Sequence, residues 1–168
     1  QNLQLMVPRL RLEGLATFRH LMETEDPEEG ILDVDLRNGF WHLAEHPRAS
    51  TTSGFVVGGR SFQMIAAPQG KAPVPHHFQM LMWTLAKRWR RLGIRLMCYL
   101  DDFIFLVKRR HAALLATFIR GEMRRHGLYI NVPKTHWDWH RSSIALGIRI
   151  DLDAGRFKTP KTKVKDIE

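Results

Sequence analysis

Apolar and polar residues along this chain follow two periods, one typical of helices and one typical of strands. Apolar positions three and four residues apart predict helices at residues 12–23, 75–92 and 111–126. Shorter alternating or continuous apolar runs predict strands at residues 31–35, 52–57, 60–66, 95–100, 103–108, 129–131, 135–139 and 144–150. Because the strands come in adjacent pairs, the order predicts an α+β fold with an antiparallel sheet backed by two helices. It argues against a doubly wound parallel sheet.

Glycine marks two of the predicted turns. The Gly58–Gly59 pair lies between two strand-like runs and predicts a two-residue hairpin, because glycine accepts the positive φ that such turns need. The pair Asn38–Gly39 predicts a tight turn soon after the first strand. These turns divide the chain into short antiparallel units within one domain.

The composition describes a basic chain that can form its own core. Apolar residues make up 44% of the 168 residues, which is enough for one globular domain. Lys and Arg outnumber Asp and Glu by 26 to 17, and the charge of +9 indicates either a polyanionic partner or simply a basic surface. The single cysteine, Cys98, excludes an internal disulfide and suits an intracellular location. No apolar run approaches the ~20 residues that span a bilayer, so we expect no membrane partner.

Four carboxylates occur in positions that suit metal binding. Asp101 and Asp102 lie between two strongly apolar strands, where adjacent negative charges repel unless a cation neutralises them. Asp33 and Asp35 alternate with apolar residues, so both side chains face the same side of their strand. Carboxylates from two strands could hold two divalent ions about 4 Å apart for phosphoryl transfer. A simple turn and a solvated strand face explain the same residues separately, and spacing alone leaves both alternatives open.

His136 and His140 are candidates for a different metal site, one that would bind zinc. A spacing of four places two histidines on one face of a helix, but residues 135–140 alternate like a strand. With one cysteine and no acidic partner at motif spacing, the sequence argues against a zinc site there.

Five segments, in order along the chain, resemble the motifs of reverse transcriptases. The run YLDD at 99–102 resembles motif C, and the run DLRNGFWHL at 35–43 resembles motif A. The run APQGKAP at 67–73, with the following Phe78 and Gln79, resembles motif B. The run GLYINVPKT at 127–135 resembles motif D, and ALGI at 145–148 resembles motif E, the primer grip. The resemblance implies a polymerase palm, with an RRM-like or ferredoxin-like antiparallel core, two backing helices and a partial fingers hairpin. The run LGIRL at 92–96 is most similar to DIRS-type retrotransposons, whose integrase is a tyrosine recombinase.

The resemblance implies an RNA-directed DNA polymerase that uses two Mg²⁺ ions, with Mn²⁺ as a substitute. Its partners would be dNTPs and a primer on an RNA or DNA template. The implied metal ligands are Asp35, Asp101, Asp102 and the carbonyl of Leu36. Motif A selects Asp35 over Asp33, because only Asp35 has an aromatic residue five positions later. Lys134 would be the cation or proton donor near the departing pyrophosphate, and a solvated loop lysine is the alternative.

The same resemblance implies the contacts with substrate. The incoming nucleotide would contact Phe40, Gln69 and Gly70, and the primer would contact Tyr99, Leu146 and Gly147. Phe40 would lie beneath the sugar, where an aromatic ring clashes with a 2′-OH. RNA-dependent RNA polymerases resemble this palm but place Asp at that position and favour Gly before the Asp pair, so Phe40 and Leu100 favour deoxynucleotides. An RNA-dependent RNA polymerase is the alternative.

The resemblance covers residues 12–165 and divides the chain into a partial fingers or entry helix at 1–30, the palm at 31–150 and the start of a thumb connection at 151–168. Basic fingers and a duplex-binding thumb do not fit here. Because such catalysis depends mainly on positioning, we expect a fragment of a larger enzyme that is weakly active or inactive alone. Its uncovered surfaces are candidates for self-association, and the oligomeric state stays open. The alternative function is a domesticated, non-catalytic palm that binds nucleic acid or protein.

Overall fold

The computed structural model describes residues 9–24 and 26–159. Its helices are α1 (Leu15–Glu23), α2 (Pro47–Ser50), α3 (Val74–Arg91) and α4 (Ala112–Arg125). Its strands are β1 (Glu29–Asp35), β2 (Gly54–Val57), β3 (Arg60–Gln63), β4 (Arg95–Tyr99), β5 (Asp102–Lys108), β6 (His136–His140), β7 (Ser142–Ala145), β8 (Ile148–Asp151) and β9 (Arg156–Lys158). Short 3₁₀ turns lie at Gly39–His42, Thr51–Ser53, Arg109–His111 and Val132–Lys134. No helix in the described part of the chain combines the length and the apolar character needed to cross a membrane.

The central element is a four-stranded antiparallel sheet in the order β4-β5-β1-β6. Strands β1 and β5 pair along their full length, with Asp35 opposite Asp102. Side chains alternate between the two faces of a strand, so Leu32 and Val34 enter the main core while Asp33 and Asp35 face the other side. The sheet therefore separates an apolar face from a face that carries carboxylates.

Helices α3 and α4 cover the apolar face because their apolar residues recur at helical spacing. Phe78, Met82 and Trp89 of α3 are fully buried, and the Trp89 ring packs against Phe103 of β5 with centroids 5.6 Å apart. The Trp89 indole N–H donates to the Glu122 carboxylate of α4 at 3.3 Å, so this buried donor is satisfied. Each fully buried large apolar side chain contributes about 1.5–3 kcal/mol. This face is the rigid support of the sheet.

A smaller apolar cluster covers part of the opposite face. Phe18 of α1, Ile31 of β1 and Ile150 of β8 are buried in this cluster. Phe18 also packs against Phe157 of β9, with ring centroids 6.2 Å apart. Strands β7, β8 and β9 form a separate three-stranded antiparallel sheet. Because β7 contacts β1, this small sheet lies beside the carboxylate end of the main sheet.

An ion pair between Glu13 and Arg90 covers the free edge of β4. The Glu13 carboxylate accepts the Cys98 backbone N–H at 2.9 Å and two hydrogen bonds from Arg90 at 2.6 and 2.8 Å. Arg90 also donates to the Leu96 carbonyl at 3.0 Å. Unpaired backbone groups at a sheet edge favour pairing with other chains, so Glu13 and Arg90 protect the strand that leads into the Asp pair.

Most of the predicted elements are confirmed. The α+β class with an antiparallel sheet backed by two long helices is confirmed. Glycines 58 and 59 join β2 to β3 with φ of 57° and 75°, as a two-residue hairpin requires. This hairpin forms its own two-stranded sheet. The first helix begins at Leu15, three positions after its predicted start.

Two strand predictions are wrong. A strand is predicted at 129–131, but Ile130 forms only an isolated bridge with Leu36. The chain then enters the 3₁₀ turn Val132–Lys134, which contains Pro133, a residue without an N–H to donate. The predicted strand at 144–150 is two strands, because Leu146 and Gly147 turn the chain with φ of 52° and 72°. Strand β9 was not predicted. The expected entry segment and thumb connection extend onto residues 1–8 and 160–168, which lie outside the described residues.

Candidate active site

Three aspartates meet where β1 ends and β5 begins. Asp35, the last residue of β1, is the direct cross-strand partner of Asp102, the first residue of β5. The Leu36 N–H donates to the Asp101 carbonyl at 3.0 Å, which holds the segment after β1 beside the β4–β5 turn. Like charges directly opposite each other are destabilising. The surrounding sheet, rather than the carboxylates themselves, therefore holds this pairing together.

Gln79 on α3 holds the β4–β5 turn from its buried side. Leu100 in this turn has a φ of 51°, and such a left-handed conformation costs a non-glycine residue about 1 kcal/mol. The side-chain carbonyl of Gln79 accepts the Leu100 N–H at 2.7 Å, and its amide N–H donates to the Cys98 carbonyl at 3.4 Å. Gln79 is only 1% exposed. A residue to which the motifs assigned no role thus fixes the turn that carries Asp101 and Asp102.

Gly39 allows the segment after β1 to approach Asp101 closely. A Cβ atom on Gly39 would lie 3.0 Å from the Asp101 Cβ and 3.1 Å from the Phe78 ring. Asn38 precedes it with a φ of 53°, which confirms the predicted tight turn. Phe40 follows and packs edge-on against Phe78, with ring centroids 5.4 Å apart. The Phe40 ring is therefore held in place at the side of the carboxylates.

Burial and neighbouring carboxylates raise the pKa of Asp101 and of Asp102. Burial raises the pKa of Asp102 to about 6, and the charges of Asp101 and Asp35 act in the same direction, while Lys134 opposes them. Burial also raises the pKa of Asp101, assisted by Asp35 and opposed by its own backbone hydrogen bond and Lys134. Because an added cation would relieve this repulsion, the position favours a bound positive charge.

The chemistry of these side chains fits a divalent cation. Mg²⁺ and Mn²⁺ prefer hard oxygen ligands such as carboxylates and carbonyls. Asp35, Asp101 and Asp102 supply such oxygens, and Leu36 lines the same cleft as Asp35 and Asp101. Within the described residues, no group of three or more His, Cys, Asp or Glu side chains is already arranged to hold an ion.

A cleft of about 260 Å³ opens beside Asp35 and Asp101. Its lining contains most of the residues predicted for the metal and the incoming nucleotide, namely Asp35, Leu36, Phe40, Gln69, Asp101 and Lys134. Gly70 follows Gln69 with a φ of 85°. Arg37 and Asn131, which the motifs did not single out, also line the cleft. Residues from four separate segments of the chain are thus brought to one place.

A second cavity, of about 330 Å³, lies between the main sheet and the β7–β8 turn. Asp35, Asp102 and Lys134 line it together with Leu146. Gly147 follows Leu146 in this turn. Tyr99 lies opposite Asp102 across β4 and β5, outside the lining of both cavities. Of the residues predicted to contact a primer, Leu146 therefore lies beside the carboxylates, whereas Tyr99 adjoins them through the sheet.

Asp33 faces the same side as Asp35 but is held by two histidines of β6. His136 Nδ1 lies 2.7 Å from one Asp33 oxygen, and His140 Nε2 lies 3.0 Å from the other. Burial acts to raise the pKa of Asp33, but the hydrogen bonds from His140 and His136 outweigh it and lower the pKa. The bond to Asp33 raises the pKa of His140 against the effect of burial. The acidic partner of these histidines is therefore Asp33, which lies 103 residues before His136 and so could not be recognised from motif spacing.

Comparison with protein families and with known sequences gives a consistent result. Residues 3–150 match the family model described as Reverse transcriptase (RNA-dependent DNA polymerase). Protein P of Duck hepatitis B virus is 25% identical over an aligned length of 168 residues, and the alignment covers 96% of this chain and 20% of that protein. The Genome polyprotein of Petunia vein clearing virus is 29% identical over 122 residues, which cover 71% of this chain and 5% of that protein. The chain therefore spans about a fifth or less of the length of these relatives.

Solved structures of foamy viral protease-reverse transcriptase share the fold. The structure in complex with double-stranded DNA has a TM-score of 0.80 at 17% identity, covering 99% of this chain and 28% of that one. The structure in complex with an RNA/DNA hybrid has a TM-score of 0.68 at 19% identity, covering 83% of this chain and 19% of that one. At this identity the likeness concerns the fold alone.

The substitution Gln79→Leu should destabilise the chain. It preserves an apolar contact but leaves the Leu100 N–H without its acceptor, so we expect the free energy of unfolding to fall by about 1–3 kcal/mol. Urea denaturation followed by tryptophan fluorescence measures this change. Met80→Leu, on the exposed side of the same helix, is the control and should change the free energy of unfolding by less than about 0.5 kcal/mol. Equal effects of the two substitutions would contradict the role of Gln79.

The raised pKa of Asp102 predicts a pH dependence of stability. The folded chain binds a proton at Asp102 more tightly than the unfolded chain, where the pKa is 3.8. The resulting stabilisation is complete below the unfolded pKa and is lost as pH rises through about 6. Asp102→Asn stays neutral at every pH, so its stability relative to the wild type should increase between about pH 4 and pH 6. Denaturation at a series of pH values tests this, and a constant difference across that window would contradict the raised pKa.

Proposed function

Because the chain belongs to the reverse transcriptase (RNA-dependent DNA polymerase) family, we propose that it is a palm that adds dNTPs to a primer 3′-OH by two-metal nucleotidyl transfer. The observation that carries this proposal is the direct pairing of Asp35 with Asp102, beside Asp101 and Lys134. Carboxylates crowded in this way have no role in stabilising the sheet, but they suit catalysis on phosphates.

The proposed metal ligands are Asp35, Asp101, Asp102 and the carbonyl of Leu36. Two Mg²⁺ ions, or Mn²⁺ in their place, would polarise the primer hydroxyl and neutralise charge on the transferred phosphate when bound. Lys134 lines both cavities, so it can remain near the carboxylates while it faces the nucleotide. As a cation or proton donor it would stabilise the charge that develops on the departing pyrophosphate.

The two cavities suggest where the substrates bind. Phe40, Gln69 and Gly70 would contact the incoming nucleotide at the first cleft, with Arg37 as an additional positive charge for its phosphates. Leu146 and Gly147 would support the primer terminus at the second cavity, on the other side of Asp102. Tyr99 would contribute from β4. The reacting atoms would then meet above the carboxylates, as in-line transfer between primer and nucleotide requires.

We also propose a division of the chain into segments, a source, a partner and a location. Residues 1–30 would form a partial fingers or entry segment, 31–150 the palm and 151–168 the start of a thumb connection. The run LGIRL at 92–96 supports a DIRS-type retrotransposon as the source. A primer on an RNA or DNA template is the proposed partner, supported by the foamy viral structures, which are complexes with double-stranded DNA or an RNA/DNA hybrid. The single cysteine supports an intracellular location.

These 168 residues should extend a primer weakly or not at all on their own. The proposed mechanism depends on positioning, and a palm without complete fingers and thumb lacks phosphate contacts and a template clamp. Extension of an end-labelled primer on RNA and DNA templates, with Mg²⁺ and with Mn²⁺, measures this activity. Robust extension by the chain alone would contradict this expectation while supporting the proposed chemistry.

Asp101→Asn should weaken divalent cation binding. Loss of one carboxylate charge should reduce Mn²⁺ affinity roughly tenfold or more, which is about 1.4 kcal/mol. Electron paramagnetic resonance titration of Mn²⁺ measures the affinity, with Asp153→Asn, an exposed carboxylate on the β8–β9 turn, as the matched control. If the wild type binds no divalent cation but binds RNA with an affinity that Asp101→Asn leaves unchanged, the non-catalytic binding module becomes the better description.

Phe40→Ala should relax the choice of sugar. Removing the ring frees space beside the nucleotide cleft, so the preference for dNTPs over ribonucleotides in kcat/KM should fall by at least about tenfold. Single-nucleotide incorporation by a polymerase that contains this domain measures the two ratios. If the unmodified enzyme already uses ribonucleotides equally well, Phe40 is not a gate and an RNA polymerase is favoured.

A further inference from the structure

Strand β6 is attached to the main sheet by few backbone pairs. The neighbouring pair β1–β5 keeps an unbroken register along the whole of β1. In contrast, β1 pairs with β6 only at Ile31–His140 and Asp33–His136, with an irregularity between the two positions. An interrupted ladder leaves a strand more weakly held, so the side chains of β6 must contribute much of its attachment.

Side chains hold β6 from both faces of the sheet. On the apolar face, the Trp139 indole N–H donates to the Val107 carbonyl at 3.1 Å. On the carboxylate face, Asp33 contacts His136 at 2.7 Å and His140 at 3.0 Å, near the two ends of β6. Asp33, His136 and His140 together form what we call the Asp33 clamp. Each Asp33 oxygen therefore lies within 3.0 Å of a histidine nitrogen of β6, and Asp33 also lines the second cavity together with Asp35 and Asp102.

The clamp lies next to Lys134 in the chain. Lys134 and Thr135 immediately precede β6, and the Thr135 hydroxyl accepts the Asp35 N–H at 3.1 Å. On the other side of Lys134, the Asn131 N–H donates to the Asp35 carbonyl at 2.8 Å. Asn131 and Thr135, on the two sides of Lys134, are therefore both hydrogen-bonded to Asp35, and β6 begins directly after Thr135. Because Lys134 is joined to β6 through Thr135 alone, the position of β6 contributes to how closely Lys134 approaches the carboxylates.

We propose that Asp33 is a positioning residue for nucleotidyl transfer, which holds β6 against β1 through His136 and His140 and thereby keeps Lys134 beside Asp101 and Asp102. This inference rests on the proposed function and adds to it a role for the one aspartate of β1 that is not a metal ligand. Asp33 is well suited to this role, because a single half-buried carboxylate can accept hydrogen bonds from two rings at once.

Hydrogen exchange of the full chain tests the clamp without any need for catalysis. In Asp33→Asn, amides of residues 131–140 should exchange at least about tenfold faster, because local opening of β6 becomes easier. Amides of β4 and β5 should be unaffected. Asp138→Asn, which removes an exposed carboxylate from the same strand, is the matched control, and Asp33→Glu should retain most of the protection. Unchanged exchange in Asp33→Asn would overturn the proposal.

The affinity for Mn²⁺ tests whether the clamp acts through Lys134. Removing a nearby cation strengthens metal binding, so Lys134→Ala and Asp33→Asn should each raise Mn²⁺ affinity, roughly threefold. Asp33→Asn should add nothing in the Lys134→Ala background, because the two changes act on the same interaction. If Asp33 acted only through its own charge, its removal would lower the affinity in both backgrounds, and the proposal would be wrong.

Failure of this inference is distinguishable from failure of the proposed function. A wild-type chain that binds no Mn²⁺ would refute the two-metal function and with it the role of Asp33. Normal Mn²⁺ binding by the wild type, without the effect that depends on Lys134, would refute the positioning role alone.

Discussion

The pairing of β1 with β5 is the constraint on which the rest of this structure depends. Its register places Asp35 directly opposite Asp102, although the two negative charges repel. A slip by one residue would turn every side chain of β1 to the other face and expose Leu32 and Val34. Burial of those residues against α3 and α4 therefore maintains a register that the carboxylates oppose. The stability of the apolar face makes the chemistry of the other face possible.

Helix α3 connects that support to the candidate site. Its residues Phe78 and Gln79 contact opposite parts of the site, since Phe78 packs against Phe40 while Gln79 accepts the N–H of Leu100. Farther along the same helix, Trp89 lies in the core. A displacement of α3 would thus move the cleft beside Asp35 and the Asp-Asp turn together. Packing in the core and geometry at the site are not independent in this fold.

Much of the fold could be predicted because helix and strand periods are local properties. The errors have specific physical causes. The run at 129–131 is apolar enough for a strand, but Pro133 interrupts the backbone hydrogen bonding that would extend it. The run at 144–150 contains a turn in which Leu146 adopts a positive φ, a conformation rare for leucine and therefore without a sequence signal. In each case the backbone conformation of one or two residues interrupted an apolar run.

By itself, the sequence determined most of the helices and strands, the positions of the carboxylates along the chain and the family whose motifs they match. Only the tertiary structure decided which of these groups meet. Nothing in the spacing of Asp33 and Asp35 shows that one bonds two histidines while the other faces Asp102. Gln79 likewise has no local feature that marks it as the support of the Asp-Asp turn. The physical reason is that periodicity depends on neighbours along the chain, whereas these contacts depend on strands and helices far apart in sequence packing side by side.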